Sequence, residues 1–120
     1  MAAPSFQAYT AHHQHRRQQK KQQRRAHYEL GQIRAQEAAD YLKHTFGVET
    51  VWLFGSMLNA DDVYLESDLD LAVKGLNLEH YCEALGDLLV GIKEFSVDLV
   101  RVESAPESLI AEIHNKGRVL

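Results

Sequence analysis

The sequence predicts a small α/β protein, and three observations carry the prediction. Three short runs rich in β-branched and aromatic residues, VETVWLF (48–54), DLDLAVK (68–74) and SVDLVRV (96–102), read as strands. Around them, apolar residues recur at helical spacing. The length of 120 residues suits one domain, and an apolar fraction of 45% supports a modest core.

Taken in order, Met1 to about Ala11 shows no periodicity and is expected to be disordered. HHQHRRQQKKQQRR, residues 12–25, contains no apolar residue and cannot pack into a core. As a helix it would place Arg16, Arg17, Lys20, Lys21, Arg24 and Arg25 on one half of its surface. Like charges at i, i+4 each cost a few tenths of a kcal/mol, so such a helix needs an anionic partner or frays. The plain reading is a solvated polar extension, and His12, His13 and His15 belong to it rather than to a metal site. Residues 1–25 are therefore assigned as a basic, Gln-rich arm and residues 26–120 as the folded domain.

From Ala26 the pattern turns helical, with Leu30, Ile33, Ala38, Tyr41 and Leu42 as the buried face and Gly47 as the stop. After the first two strands, Asn77 caps a helix through NLEHYCEALGDLLVGIKEF. Its predicted apolar face is Leu78, Tyr81, Cys82, Leu85, Leu88, Leu89 and Ile92. Ser104-Ala-Pro-Glu107 reads as a capping box with proline just inside the last helix. Leu109, Ile110 and Ile113 are that helix's buried side, and Gly117 closes it. His80 and His114 have no partner that spacing identifies.

Charge is unevenly distributed. Residues 1–44 carry eight Lys/Arg against three Asp/Glu, and residues 45–120 carry five against fourteen, for a net −4. An acidic body is a poor surface for nucleic acid and a good one for metal. No apolar run approaches the roughly 18 residues a membrane span needs, and the start lacks the apolar core of a signal peptide. The lone cysteine, Cys82, makes no internal disulfide and is expected in the core. The expected location is cytoplasmic, with no membrane contact.

The chemistry begins with acidic residues where apolar ones belong. Asp68, Asp70 and Asp98 fall in predicted strands, although aspartate is a poor strand former and an unpaired buried carboxylate is costly. Alternation puts Asp68 and Asp70 on one face. Carboxylates so arranged call for a cation between them, and Mg²⁺ is usually held by a few carboxylates plus substrate phosphates. Two such ions about 4 Å apart would clamp an in-line attack at phosphorus. Gly55 and Ser56 end the first strand. A glycine there lets backbone approach a ligand, and a helix starting at Ser56 would offer free N–H groups to phosphate. Ser56 also has a plain reading as an N-cap.

The combination VWLFGS, SDLDLAV and VDLV, followed by a final helix, resembles the DNA-polymerase-β-type nucleotidyltransferases. Within them it is similar to the minimal nucleotidyltransferase branch, over roughly residues 28–120. The resemblance implies a small mixed sheet flanked by helices, with ATP and Mg²⁺ (two ions, or Mn²⁺) at the sheet edge. It implies Asp68, Asp70 and Asp98 as metal ligands, Asp98 also assisting deprotonation of the acceptor, and Gly55 and Ser56 as phosphate-binding residues. Members of this branch pair with a HEPN-domain RNase toxin and act as its antitoxin, some by transferring AMP to a toxin tyrosine. The implied partner is such a toxin, in a hetero-oligomer. The chain departs from the family where a small or basic run often follows Gly-Ser. Here Met57-Leu58-Asn59-Ala60-Asp61-Asp62 stands instead, in an eleven-residue loop before Asp68. Competing readings are an antitoxin that masks the toxin without catalysis, and the nucleotidylating part of a small-molecule-modifying enzyme. For the arm, an acidic toxin surface is favoured slightly over nucleic acid.

Overall fold

The computed structural model describes residues 5–120. Its elements are α1 (Phe6–Phe46), β1 (Thr50–Phe54), β2 (Leu69–Lys74), α2 (Tyr81–Gly91), β3 (Val97–Arg101), α3 (Glu107–Lys116) and β4 (Arg118–Val119). Short 3₁₀ turns occupy Gly55–Leu58, Ala60–Asp62, Leu78–His80 and Val102–Ser104.

The strands form one mixed sheet in the order β3-β2-β1-β4. β1 runs antiparallel to β2 and β4, whereas β2 and β3 are parallel. Parallel neighbours need a crossover, and α2 provides it. One face of the sheet, with Val51, Leu53, Leu69, Leu71, Val73, Val97 and Leu99, packs with α1 and α2 into the main core. The other face carries Trp52, Phe54 and Ala72, covered by Ile113 and Leu109 of α3. Two-sided burial explains why β1 and β2 read as continuous apolar runs.

α1 is one helix of 41 residues, and it crosses the boundary between the basic arm and the rest of the chain. The expectation of disorder up to Ala11 fails from Phe6 onward, while residues 1–4 lie outside the described residues. A cap explains the difference: Ser5 accepts a hydrogen bond from the Ala8 amide at 3.1 Å. Gly47 ends the helix as expected, at φ 67°, in the left-handed region. The buried face of α1 is Gly31, Ala35, Ala38, Ala39 and Leu42, so Ile33 and Tyr41 are exposed, contrary to the spacing argument. Small residues win that face because the backbone approaches closely. A Cβ on Gly31 would collide with the Met57 sulfur.

Three more expectations are corrected. Asn77 caps a 3₁₀ turn, accepting from the Glu79 amide, and α2 proper begins at Tyr81 and ends at Gly91. The buried face centres on Ala84 and Leu88, with Ile92 just past the helix end, because a small residue lets the helix approach the core, and Leu78, Leu89 and Cys82 are left exposed. The predicted capping box does not form. Ser104 belongs to a 3₁₀ turn and accepts from Arg101, and Pro106 precedes α3 without a side-chain cap. β4 was not foreseen.

Candidate active site

The parallel pairing of β2 and β3 builds the site. Asp70 and Asp98 are register partners across these strands, so both project from the face that α3 covers. Across β1, Asp70 stands opposite Phe54, the last residue before the Gly55 turn. Asp68 lies one residue before β2 begins at Leu69, at the mouth of the strand rather than within it. The chain is open there, which lets a carboxylate reach solvent.

Electrostatics identify Asp70 as the strained member. Burial, then the like charges of Asp98, Asp68 and Glu112, push its carboxyl up to about 6. A carboxyl raised by burial and by like charges is one that a cation would relieve. Among the described residues no three acidic, His or Cys side chains come together as a metal-holding group. The donor set is thus an in-register pair with Asp68 at its rim. That set suits a hard cation which completes its shell with water and phosphate oxygens.

Gly55 is fixed by the same geometry. Its φ is 79°, and a Cβ there would collide with Asp70 Oδ2. Backbone and carboxylate thus occupy the space a side chain would fill. The following turn, Gly55–Leu58, is a single 3₁₀ turn and not the start of an α-helix, so the expected helix N-terminus at Ser56 is absent. Gln32 of α1 holds that turn, its Nε2 donating to the Met57 carbonyl at 2.7 Å.

Two hollows flank the carboxylates. One, about 440 Å³, is lined by Phe54, Gly55, Ser56, Leu58, Asp62, Glu112 and Lys116. The second, about 410 Å³, lies beside Asp98 between β3 and α3. Leu78, Tyr81, Pro106 and Leu109 line much of it. Tyr81 donates its hydroxyl to the Leu99 carbonyl at 2.6 Å, which fixes that wall. The sequence reading missed Lys116 and Glu112. Their i, i+4 spacing on the final helix was visible, but nothing in the sequence set that helix beside Gly55. His114, without an evident partner in the sequence, stands edge-on to Trp52, and His80 lies 3.8 Å from Glu83.

Comparison with known families decides the wider question. Residues 36–120 match the family model for polymerase beta, nucleotidyltransferase. The chain belongs to the polymerase-β nucleotidyltransferase family. A comparison with curated proteins gives no match. Among solved structures, this nucleotidyltransferase is similar to a mutant form of the MntA–HpeT toxin–antitoxin pair. Identity there is 25% and the TM-score 0.59, covering 71% of this chain and 69% of the other. It is also similar to a tri-AMPylated Shewanella oneidensis HEPN toxin in complex with MNT antitoxin, at 22% identity and TM-score 0.57. That match covers 74% and 70% of the two chains. A toxin–antitoxin structure with AMP-PNP matches at 24% identity and TM-score 0.58, covering 69% of each. The nucleotidyltransferase fold, with its mixed sheet flanked by helices, is shared over about 70% of the chain. No helix among the described residues is long and apolar enough to cross a membrane.

Proposed function

We propose that this nucleotidyltransferase is an antitoxin that neutralises a cognate HEPN RNase toxin by Mg²⁺-dependent transfer of AMP from ATP to a toxin tyrosine. The observation that carries the reading is the in-register Asp70–Asp98 pair beside the Gly55 turn. The toxin–antitoxin complexes of similar fold, one with an AMPylated toxin, supply the partner class.

In this reading the acceptor oxygen bonds to the α-phosphorus as the bond to the β-phosphate oxygen breaks, and pyrophosphate leaves. Asp98, the exposed member of the pair, accepts the tyrosine proton. Asp70, with Asp98 beside it and Asp68 at the rim, would hold Mg²⁺, which when bound offsets the charge of the triphosphate. Gly55 and Ser56 lie against the phosphates, and Lys116 supplies the cation that the Met57–Asp62 segment lacks. The apolar hollow beside Asp98 has the chemistry of a seat for an aromatic acceptor.

One observation favours the non-catalytic alternative. Among the described residues, the hollow at Gly55 offers a single cation, Lys116, against Asp62 and Glu112. The test is to incubate the chain with its toxin, ATP and Mg²⁺, then weigh the toxin by mass spectrometry. The reading expects addition of AMP, lost in Asp70→Asn and Asp98→Asn together with neutralisation. If both variants still neutralise the toxin fully, masking replaces catalysis.

A further inference from the structure

α1 does not float free of the body along its basic stretch. Arg17, Lys20, Lys21 and Arg24 form one wall of a cleft of about 300 Å³, and Ala60 and Asp61 form the other. Past the cleft, the Arg24 guanidinium carbon lies 5.0 Å from the centre of the Tyr64 ring. Tyr64 remains 52% exposed. Further out, Tyr9 and His13 stand edge to face at 4.4 Å. Residues 9, 13, 17, 20 and 24 follow three- and four-residue spacing, so rings and cations share one helix face. Among the described residues none of the four cleft cations is in an ion pair, although Arg25 of the same helix pairs with Glu29.

We propose that this face of α1, closed at one end by Tyr64, binds a single-stranded polynucleotide through its phosphates and bases. Cations spaced one turn apart, about 5 Å along the axis, suit a flexible backbone. Rings level with them offer stacking surfaces, the combination single-strand binding uses. The single opposing carboxylate, Asp61, leaves the cleft strongly positive. Two other occupants fit less well. A duplex would need the helix face clear on both sides, and the 60–64 segment closes one of them. An acidic protein surface would use the cations but has no use for the exposed rings, which moves the balance away from the toxin surface that charge alone had favoured.

The experiment is fluorescence anisotropy of the full chain with a labelled single-stranded RNA of about 12 nucleotides, with matched single-stranded DNA and duplex as further probes. Three or four neutralised phosphates predict that affinity falls about 20- to 50-fold between about 50 and about 200 mM salt. The combined Arg17→Ala, Lys20→Ala, Lys21→Ala and Arg24→Ala variant should abolish both binding and the salt slope. Tyr64→Ala should weaken binding about tenfold, from the loss of one stacked base, while Tyr64→Phe keeps it. Lys74→Ala, on the far end of β2, should change nothing. Absence of binding at low salt overturns the proposal and leaves a solvated helix. Equal or tighter binding of the duplex, or of polyglutamate, overturns it in favour of those partners. Insensitivity to Tyr64→Ala overturns the role of the ring.

Discussion

Asp70 concentrates the conflict between stability and chemistry. Burial and like charges push its carboxyl up to about 6 from an ordinary 3.8, so the folded state holds that proton more tightly than the unfolded one. The sign follows: Asp70 costs the fold nothing below about pH 4, where both states are protonated, and stability falls as pH rises from about 4 to about 6, above which the penalty is complete. Asp70 is only half buried, and after discounting for solvent screening the penalty is on the order of 1 kcal/mol. Without divalent cations, Asp70→Asn is therefore expected to melt about 4 °C above the parent at neutral pH. The gap should close below pH 4, and paired melting curves at the two pH values check it. The parent is expected to bind ATP only with Mg²⁺ or Mn²⁺ present, because carboxylates facing a triphosphate repel it. Calorimetry in chelator and in Mg²⁺ measures that directly. Gly55→Ala meets two obstacles, a positive φ and the Asp70 oxygen, and is expected to lose about 2 kcal/mol or more. Adding Asp70→Ala should recover the contact part of that loss and leave the φ part, a difference a double-mutant cycle resolves by denaturation.

At the scale of elements, α3 decides whether the site can hold a nucleotide. It brings Lys116 to the Gly55 hollow, the one cation among the described residues that line it. Lys116→Ala is expected to weaken Mg·ATP binding about tenfold with little change in melting temperature, since the side chain is exposed. Calorimetry with circular dichroism separates the two. What the sequence disclosed also divides by element. The strands were legible because Val, Leu and Trp ran together between Gly and Asp, and the three aspartates broke those runs conspicuously. Two-residue β4 was invisible, since Arg118-Val119 has no alternation to read and owes its state to β1. The faces of α1 and α2 were misread because size, not hydrophobicity, selected Gly31, Ala35 and Ala84. Ile33 and Cys82 then fell outside. Lys116 could not be found because its role depends on how a later helix lies over the sheet.

As a whole, the molecule is a compact body carrying a rod. Forty-one residues of α1 extend about 61 Å, and the longest dimension of the chain is 67 Å. Its radius of gyration is 18.8 Å, whereas a compact chain of this length would have about 14 Å. Every buried residue of α1 lies at Gly31 or later. Deleting residues 1–25 should thus bring the radius in X-ray scattering close to the compact value, with melting temperature and ATP affinity unchanged. The same truncation should weaken any toxin complex that depends on the arm, and more so at low salt. The rod is also joined to the site. The joint is the seat where Gly31 meets the Met57 sulfur and Gln32 grips the Met57 carbonyl, two residues from Gly55. A fit this close would carry a displacement of the rod to the turn that borders Asp70. A strand caught on the arm and a nucleotide at the turn are therefore expected to alter each other's affinity by one common factor, whichever is added first. Titrating each in the presence and absence of the other measures that factor, and a value of one would mean that the joint carries nothing.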